Sequence, residues 1–517
     1  MKELVYHRML LPKVDQIPDK EAIVDGAHRA TFAEHVGRVG RAAGALRDLG
    51  VSGEDRFAVM ALNSHRYMEL WHAAFLGAGV MNPLNLRLAA PELAYILQDS
   101  GTKVVFTDFL FGGMIEQVRE EAGIEHVVVM GEGDVPHDAT YDELIDAADP
   151  RLPDEPDETD PVVLMYTGGT TGLPKGVMVE HRAEILNLYH VAMRWGLDEH
   201  IVNLNQTPMF HAATMGGVLG VPAAGGASTF VPLFDPAAVM DAIEAESVTW
   251  TVMVPTMVGM LLNHPEFRPE RLASLEVLTY GASPMPTALL ERLLQLYPDL
   301  RVFQGYGMTE ASAVLTVLGP DEHREDGALL RSAGRPVPGV VLTIQDPDGR
   351  PVPQGESGEV CARGGNFMRE YWNKPDATAE VFHDGWYHTG DAGYLDERGY
   401  LYLVDRVKDM IVTGGENVYS VEVENAIATH PAVEQVAVIG VPHDVWGEAV
   451  HAIVVPKAGA EVDEDEIVEH ARQLIAGYKL PKSVEFRSEP LPLSGAMKVL
   501  KRELRAPYWE GEGRGVG

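Results

Sequence analysis

The stretch YTGGTTGLPKGV, residues 166–177, combines glycines, threonines and a single lysine directly after the apolar run PVVLM. Backbone amides left accessible by glycine, hydroxyl groups and a cation are the groups that replace water around a polyphosphate, so this stretch predicts a phosphate-binding loop. It differs from a Walker A loop, because Lys175 follows Pro174 and precedes Gly176 instead of a serine or threonine. Glycine and threonine also mark turns, so the stretch alone is compatible with a flexible surface loop.

Five further stretches carry aromatic, carboxylate, imidazole or ammonium groups beside glycine-rich turns. In chain order they are TPMFHAATMGG (207–217), QGYGMTE (304–310), WYHTGD (386–391), DRVKDMIVTGGENVYSVEVE (405–424) and LPLSGAMKVLKREL (491–504). Taken one at a time, the second, third and fourth are better explained as strand-to-turn junctions or charged hairpins. Their meaning therefore depends on the elements that would hold them together.

Short apolar, β-branched runs recur along the chain, and helical patterns such as PTALLERLLQLY separate several of them. Alternating strands and helices predict parallel sheets covered by helices. Because ligands bind where the strands of such sheets end, the loops after VVLMY, LEVLTYG and RVFQGYG are candidate sites. After about Gly334 the pattern predicts an antiparallel sheet or barrel, and beyond Asp409 it predicts a small α+β domain.

Size and charge limit the partners of the chain. Its 517 residues predict two or more domains. A formal net charge of −36 disfavours nucleic acid and anionic membranes as partners of the whole molecule. The uncharged segment 201–234 is interrupted by prolines and glycines, so no transmembrane segment is expected, and the N-terminus shows no secretory signal. Cys361 is the single cysteine, which excludes an intrachain disulfide and favours a cytoplasmic location.

In this order, the phosphate-binding stretch and the later motifs resemble those of the adenylate-forming superfamily, which contains acyl-CoA synthetases, adenylation domains of peptide synthetases and beetle luciferases. The resemblance extends from about Thr31 to Arg505. It implies an α/β fold with a large N-terminal domain, residues 1–407, of two helix-covered, mainly parallel sheets plus a β-barrel-like part. A small, mobile α+β C-terminal domain, residues 408–517, is expected to supply the catalytic lysine and the CoA channel.

The resemblance also implies a reaction. A carboxylate attacks the α-phosphorus of ATP to give acyl-AMP and pyrophosphate, and the acyl group then passes to CoA. Such a transfer needs positioning and charge neutralisation more than covalent help from the protein. Mg²⁺ is the expected metal, since it prefers carboxylate and phosphate oxygens.

Matching motif positions gives each candidate residue an implied role. The β,γ-phosphates would contact Thr167, Gly168, Gly169, Thr170, Thr171 and Lys175. The nucleotide would lie along Gly281, Ala282, Ser283, Gln304, Gly305, Tyr306 and Gly307, with Tyr306 stacked on adenine. Thr309 would contact the α-phosphate, and Glu310 would bind Mg²⁺. Asp391 and Arg406 would hold the ribose. In the C-terminal part, Lys498 would be the bridging catalytic lysine and Lys408 the hinge. Gly414 and Gly415 would line the pantetheine channel.

Two positions depart from the family pattern. Met497 precedes Lys498 where most relatives have glycine, and Lys501 is a rival cation nearby. Gly168 stands where serine is common, which removes a hydroxyl but keeps the backbone amide. These departures keep open a non-catalytic nucleotide-binding protein, although the Mg²⁺, ribose and lysine positions are all present.

The segment TPMFHAATMGG is expected to border the acyl pocket. Amino-acid-activating relatives place an aspartate just after the phenylalanine, whereas this chain has His211, so amino acids are disfavoured as substrates. His211 could gate the acyl and thiol sites, or it could be a hydrogen-bonded core histidine. The expected pocket walls are small or apolar, and they comprise Ala212, Met215, Gly216, Gly217, Ala313 and Leu315.

Walls without fixed charge favour a fatty acid of medium or long chain, or a bulky hydrophobic or aryl acid. The glycines of the predicted pantetheine channel favour CoA as acceptor, while an amide synthetase that uses the same first step stays open. The expected partners are therefore a small carboxylic acid, ATP and CoA. A homodimer is compatible with the sequence, which does not determine the oligomeric state.

Overall fold

The computed structural model describes residues 2–167, 173–282, 285–325, 327, 329–406, 411–413, 416–443, 446–493 and 499–509, with the backbone alone at 405, 406, 412, 416, 417 and 447. The chain divides into two units. The first comprises Met1–Gly169, Leu173–Val341 and Arg363–His383, and the second comprises Thr170–Gly172, Leu342–Ala362 and Asp384–Gly517. The predicted domain boundary at 407/408 lies outside the described residues.

The first unit contains most of the strands. They are β1 (Glu21–Asp25), β2 (His28–Thr31), β3 (Arg56–Met60), β4 (Val80–Pro83), β5 (Val104–Asp108), β6 (His126–Met130), β7 (Ala139–Thr140), β8 (Pro161–Thr167), β9 (Lys175–Glu180), β10 (Val202–Asn205), β11 (Ala227–Phe230), β12 (Trp250–Met253), β13 (Val277–Gly281), β14 (Arg301–Tyr306), β15 (Thr316–Leu318), β16 (Arg335–Pro336), β19 (Glu370–Tyr371) and β20 (Phe382–His383).

The helices of the first unit alternate with its strands. They are α1 (His7–Gln16), α2 (Phe32–Asp48), α3 (His65–Ala73), α4 (Ala90–Ser100), α5 (Phe109–Ala122), α6 (Tyr141–Ala147), α7 (His181–Trp195), α8 (Val221–Ala224), α9 (Pro236–Glu246), α10 (Pro255–Leu262), α11 (Thr287–Leu296) and α12 (Pro375–Val381). Their starts follow local chemistry: α2, for example, begins at a capping box in which Thr31 and Glu34 satisfy each other's backbone amides.

Two sheets organise the first unit. One has the order β19-β9-β8-β4-β3-β5-β6-β7, and the other has the order β16-β15-β14-β13-β12-β10-β11-β1-β2. Strands β3 to β8 of the first sheet, and β1 with β10 to β14 of the second, pair in parallel, while the antiparallel pairs lie towards the edges. The predicted fold class of helix-covered, mainly parallel sheets is confirmed.

The second sheet has chemically different faces. Because side chains alternate along a strand, Leu204, Met253 and Leu278 point to one face, where they join a buried apolar cluster with residues of α9, α10 and α11. The intervening residues, including Asn203 and Thr279, point to the opposite face. Only the first face is a simple hydrophobic core.

The second unit is richer in antiparallel strands. Its strands are β17 (Val341–Gln345), β18 (Gly358–Arg363), β21 (Trp386–Leu395), β22 (Leu401–Arg406), β23 (Ile411–Thr413), β24 (Glu416–Val418), β25 (Val433–His443), β26 (Gly447–Pro456) and β27 (Ser483–Phe486), and its helices are α13 (Ser420–Ala428), α14 (Glu464–Arg472) and α15 (Lys501–Trp509). Strands β17, β18, β21 and β22 are neighbours in the part predicted to be barrel-like. Strands β23 to β27 form a second sheet whose buried apolar cluster includes residues of α13 and α14. Among the described helices, none is both long and apolar enough to span a bilayer.

Candidate active site

The predicted phosphate-binding loop connects β8 to β9. The two strands are antiparallel, and Thr167 pairs with Lys175 in their register. The Thr167 hydroxyl also donates to the Lys175 carbonyl at 3.5 Å. The strand pair therefore holds the two ends of the loop side by side, while Gly168, Gly169, Thr170 and Thr171 lie outside the described residues.

The ends of β13 and β14 approach each other very closely. Gly281 pairs with Gly305, and a Cβ added at Gly281 would stand 2.5 Å from the Gly305 carbonyl oxygen. Glycine is therefore required here by close packing. The next residue, Ala282, has a φ of 67°, a left-handed conformation that is unusual for a residue with a side chain, and Ser283 lies outside the described residues.

A buried network lies behind Gln304. The Tyr280 hydroxyl is 3.1 Å from Gln304 Oε1 and 3.1 Å from His323 Nε2. His323 donates from Nδ1 to the Gly319 carbonyl at 2.6 Å, and burial lowers the pKa of His323 to about 4. A neutral histidine and a tyrosine thus position the predicted nucleotide-binding glutamine, and neither was recognised from the sequence.

The chain folds back on itself after Tyr306. The Leu315 amide donates to the Tyr306 carbonyl at 2.8 Å, and the Ala313 amide donates to the Met308 carbonyl at 3.1 Å. A Cβ at Gly307 would overlap with the Ala313 carbonyl oxygen. This tight loop brings the predicted pocket residues Ala313 and Leu315 beside the predicted nucleotide-binding strand.

The same loop presents Thr309 and Glu310 on a 3₁₀ turn, Thr309–Ala311. Both side chains are half-buried. The Asn366 side chain donates from Nδ2 to the Ala311 carbonyl at 2.9 Å and to the Val314 carbonyl at 3.1 Å, which fixes the turn from outside.

Tyr371 links this turn to the phosphate-binding loop. Its hydroxyl donates to Glu310 Oε1 at 2.8 Å, and Lys175 Nζ lies 4.9 Å from the centre of its ring. Strand β19, which carries Tyr371, pairs with β9, so the tyrosine sits on the sheet that supports the loop. The structure thereby joins predicted residues from both sheets through a residue that no sequence signal identified. The Glu310 side chain offers carboxylate oxygens, which are the ligands that Mg²⁺ prefers.

The predicted acyl-pocket segment begins at His211. This side chain is half-buried, and its Nδ1 accepts from the Ala213 amide at 3.2 Å, capping the 3₁₀ turn Ala212–Thr214. Ala212 and Met215 are buried next to it. The histidine therefore has a structural hydrogen bond in addition to any role in the reaction.

Gly216 and Gly217 begin a π-helical turn, Gly216–Gly220. A Cβ at Gly216 would stand 3.1 Å from Trp195 Cζ3, and one at Gly217 would stand 2.8 Å from Asn203 Nδ2. Trp195 also faces Gly305, where a Cβ would lie 3.7 Å from Trp195 Cζ2. At these positions the glycines make room for a tryptophan and an asparagine, two wall residues that sequence reasoning missed.

In the second unit, Asp391 and Arg406 pair across β21 and β22. Asp391 is buried, and Gly390 before it has a φ of 70° and donates its amide to Glu359 Oε1 at 3.0 Å. The two predicted ribose-binding positions are therefore adjacent in the backbone. The Arg406 side chain, with Lys408, Gly414, Gly415 and Lys498, lies outside the described residues.

The rival cation Lys501 is already engaged. Its Nζ lies 2.8 Å from Glu424 Oε1 and 2.5 Å from Ser420 Oγ, both on α13. These contacts give Lys501 a structural role in joining α15 to α13.

Comparison with known proteins agrees with this arrangement. The family model for the AMP-binding enzyme matches residues 12–372, and that for the AMP-binding enzyme C-terminal domain matches residues 422–498. The chain therefore belongs to the AMP-binding enzyme family, as an AMP-forming acyl-CoA synthetase of the adenylate-forming superfamily, an acid–thiol ligase with ATP and CoA as co-substrates.

Individual relatives differ in the acid that they are named for. A feruloyl-CoA synthase of Amycolatopsis is 41% identical over 95% of this chain and 96% of the relative. Long-chain-fatty-acid–CoA ligase FadD13 of Mycobacterium tuberculosis is 36% identical over 97% of this chain and 98% of the relative. The structure of ATP-bound MatB from Rhodopseudomonas palustris matches with a TM-score of 0.88 and 30% identity, over 98% of this chain and 99% of that chain.

Proposed function

We propose that this ligase activates an aryl acid, or another acid with a bulky, planar hydrophobic group. The observation that carries the proposal is the position of Trp195, whose ring lies against both Gly216 and Gly305. An indole at this position gives the expected acyl site an aromatic wall, and it occupies volume that a long flexible chain would need. The similarity to the feruloyl-CoA synthase supports the same choice.

A fatty acid of medium or long chain is the second candidate. It is favoured by the apolar residues Ala212, Met215 and Leu315 near the expected acyl site, and by the similarity to a long-chain-fatty-acid ligase. Fatty acid metabolism is the corresponding cellular role.

The proposed roles of residues in the first unit concern ATP and Mg²⁺. Lys175 and the loop before it hold the departing pyrophosphate, Thr309 contacts the α-phosphate, and Glu310 binds Mg²⁺. The Tyr371 hydroxyl fixes one Glu310 oxygen, which leaves the carboxylate oriented for a metal. Tyr306 provides the stacking surface for adenine.

Further roles are proposed for residues of the second unit. Asp391 and Arg406 hold the ribose, Lys498 bridges the two reacting anions, and Gly414 with Gly415 lines the CoA channel. Lys498 is preferred over Lys501, because Lys501 is paired with Glu424. A boundary at residues 407/408 with Lys408 as the hinge remains part of the proposal.

Cellular location and assembly are proposed on less direct grounds. A cytoplasmic location is supported by the single, buried thiol of Cys361. A homodimer is a prediction that light scattering on the purified protein would check.

The decisive experiment is mass spectrometry of the products after incubation with ATP, Mg²⁺, CoA and a panel of acids. The panel contains cinnamate, 4-hydroxycinnamate, benzoate, indoleacetate, decanoate, palmitate and amino acids at equal concentrations. Aryl-CoA thioesters as the main products would support the proposal, whereas decanoyl- or palmitoyl-CoA would favour the second candidate. Amides formed without CoA would make the chain an amide synthetase, and no acyl-AMP from any acid would refute adenylation.

A further inference from the structure

One face of the nine-stranded sheet mixes polar and apolar side chains. Register places Asn203 beside Trp250, Val252 beside Thr279, and Gly281 beside Gly305. These residues share one face, because neighbours in register point to the same side of a sheet. The face ends at Gly281 and Gly305, near the ends of β13 and β14, and α7 contributes Trp195 to it.

Five buried polar groups on this face lack partners in the described part of the chain: Ser228 Oγ and Trp250 Nε1, which flank Asn203 in register, and polar atoms of Asn203, Trp195 and Thr279. Asn203, Trp195 and Thr279 are 1%, 4% and 2% exposed, respectively. Within the part of the chain that the structure describes, Asn203 Nδ2, Trp195 Nε1 and Thr279 Oγ1 make no hydrogen bond. Buried polar groups are nearly always paired, so five on one face of a sheet require an explanation.

The opposite face provides the comparison. There, the Thr251 hydroxyl donates to Leu204 O at 3.1 Å and to Gln206 Oε1 at 2.8 Å as alternative acceptors, in the usual manner of a buried threonine. The sheet can therefore satisfy its own threonine hydroxyls. The lack of partners is concentrated on the face that adjoins the acyl segment.

Two of the unpartnered side chains, Asn203 and Trp195, lie against the glycines of the expected acyl site. Asn203 Nδ2 is the atom nearest to a Cβ built on Gly217, and the Trp195 ring separates Gly216 from Gly305. Cζ2 of the indole, which is next to the ring carbon that carries Nε1, is the Trp195 atom nearest to Gly305.

We propose that Asn203, Trp195 and Thr279 determine specificity for an acid that carries an oxygen remote from its carboxylate. The inference rests on the proposed function, since it assumes that the acid binds beside Gly216 and Gly217. An indole N–H can only donate, and an amide and a hydroxyl can also donate, so together they suit an acceptor such as a ring hydroxyl or methoxy oxygen. A purely hydrocarbon acid would leave all three groups unpaired.

The test uses acids that differ by one oxygen. Pyrophosphate release is measured as kcat/KM for cinnamate against 4-hydroxycinnamate and for decanoate against 10-hydroxydecanoate. In the pair with the higher kcat/KM, we expect the oxygenated acid to be preferred by about tenfold or more, because a site built for a hydroxyl penalises the analogue that lacks it. The fatty-acid pair separates the proposed aryl-acid substrate from the inferred oxygen preference. If only the fatty-acid pair is turned over, the aryl-acid proposal is refuted, while the preference for the oxygenated member can still be measured.

Variants assign the preference to the three side chains. Trp195→Phe, Asn203→Leu and Thr279→Val each replace a polar group with an apolar side chain, and each is expected to lower the ratio of kcat/KM values within a pair by about fivefold or more. Thr279→Ser is the matched control, because it keeps the hydroxyl and should retain most of the preference. Thermal unfolding should show no loss of stability in Thr279→Val, since the two side chains are nearly isosteric and the hydroxyl makes no hydrogen bond within the described residues.

Two results would overturn the inference. One is a wild-type enzyme that releases pyrophosphate with both members of a pair at equal efficiency. The other is a set of variants that lose both members equally, with lower unfolding temperatures, which would make the three groups structural. Failure of every acid to release pyrophosphate would overturn the proposed function together with this inference.

Discussion

Glu184 should make the stability of the protein depend on pH. This carboxyl group is buried on α7, where Asn187 Nδ2 donates to its Oε1 at 2.8 Å. Burial raises the pKa of Glu184 from 4.5 to about 8. The perturbation that tests this is Glu184→Gln, which keeps the size of the side chain and an oxygen for Asn187 but cannot ionise.

The sign follows from proton binding. Between pH 4.5 and about 8, the unfolded chain releases the Glu184 proton while the folded chain retains it. The folded state binds more protons in this window, so stability falls as the pH rises. The slope for one group is about 1.4 kcal/mol per pH unit, and the whole window gives an upper limit of about 4–5 kcal/mol. Below pH 4.5 and above about 8 the contribution is constant.

The assay is chemical unfolding of wild type and Glu184→Gln from pH 4 to pH 9. Other groups titrate in both proteins, so the quantity of interest is the difference in unfolding free energy at each pH. We expect the unfolding free energy of Glu184→Gln to rise relative to that of the wild type by about 1–4 kcal/mol between pH 5 and pH 8. Glu291→Gln, on the exposed side of α11, serves as the matched control and should give no such gain.

Parallel curves for wild type and Glu184→Gln would refute the reasoning. They would mean that the carboxyl ionises in the folded protein as it does in the unfolded chain, through water or a cation that reaches it.

Three further predictions concern the site. Tyr371→Phe removes the hydrogen bond to Glu310, so we expect about 10- to 100-fold slower adenylation and a higher Mg²⁺ requirement, measured by titrating Mg²⁺ in the pyrophosphate assay; an unchanged Mg²⁺ midpoint would contradict this. Lys498→Ala should lose adenylation by about 100-fold or more while transfer from supplied acyl-AMP to CoA survives, and equal loss of both half-reactions would argue against separate roles. Gly307→Ala forces the loop away from the Ala313 carbonyl, so the unfolding free energy should fall by about 1–3 kcal/mol in urea denaturation, whereas wild-type stability would show that the loop adapts freely.

Much of the fold could be predicted because its signals are local. The run LEVLTYG predicts a strand and lies on β13, and PTALLERLLQLY predicts a helix and contains α11. A buried parallel strand needs apolar, β-branched residues wherever it lies in the sheet, so its composition identifies it without knowledge of its neighbours. The order of the strands depends on contacts between distant segments, which composition does not encode.

The candidate site shows the same division. Lys175, Tyr306 and Glu310 are predicted site residues because they belong to short motifs that resemble those of the adenylate-forming superfamily. Tyr371 belongs to no such motif, and its role depends on the pairing of β19 with β9, which brings its hydroxyl to Glu310. A single tyrosine far along the chain carries no sign of that pairing.

The sequence by itself indicated the class of the protein and the reaction type, and it assigned candidate roles to the motif residues, because its motifs, in their order, resemble those of the adenylate-forming superfamily. Only the tertiary structure decided what surrounds those motifs. The glycines at 216 and 217 predicted open space for an acyl tail, whereas the fold places Trp195 and Asn203 against them. The reason is that a missing side chain creates room without specifying what fills it, and the filling residues come from α7 and β10, whose approach depends on the packed fold.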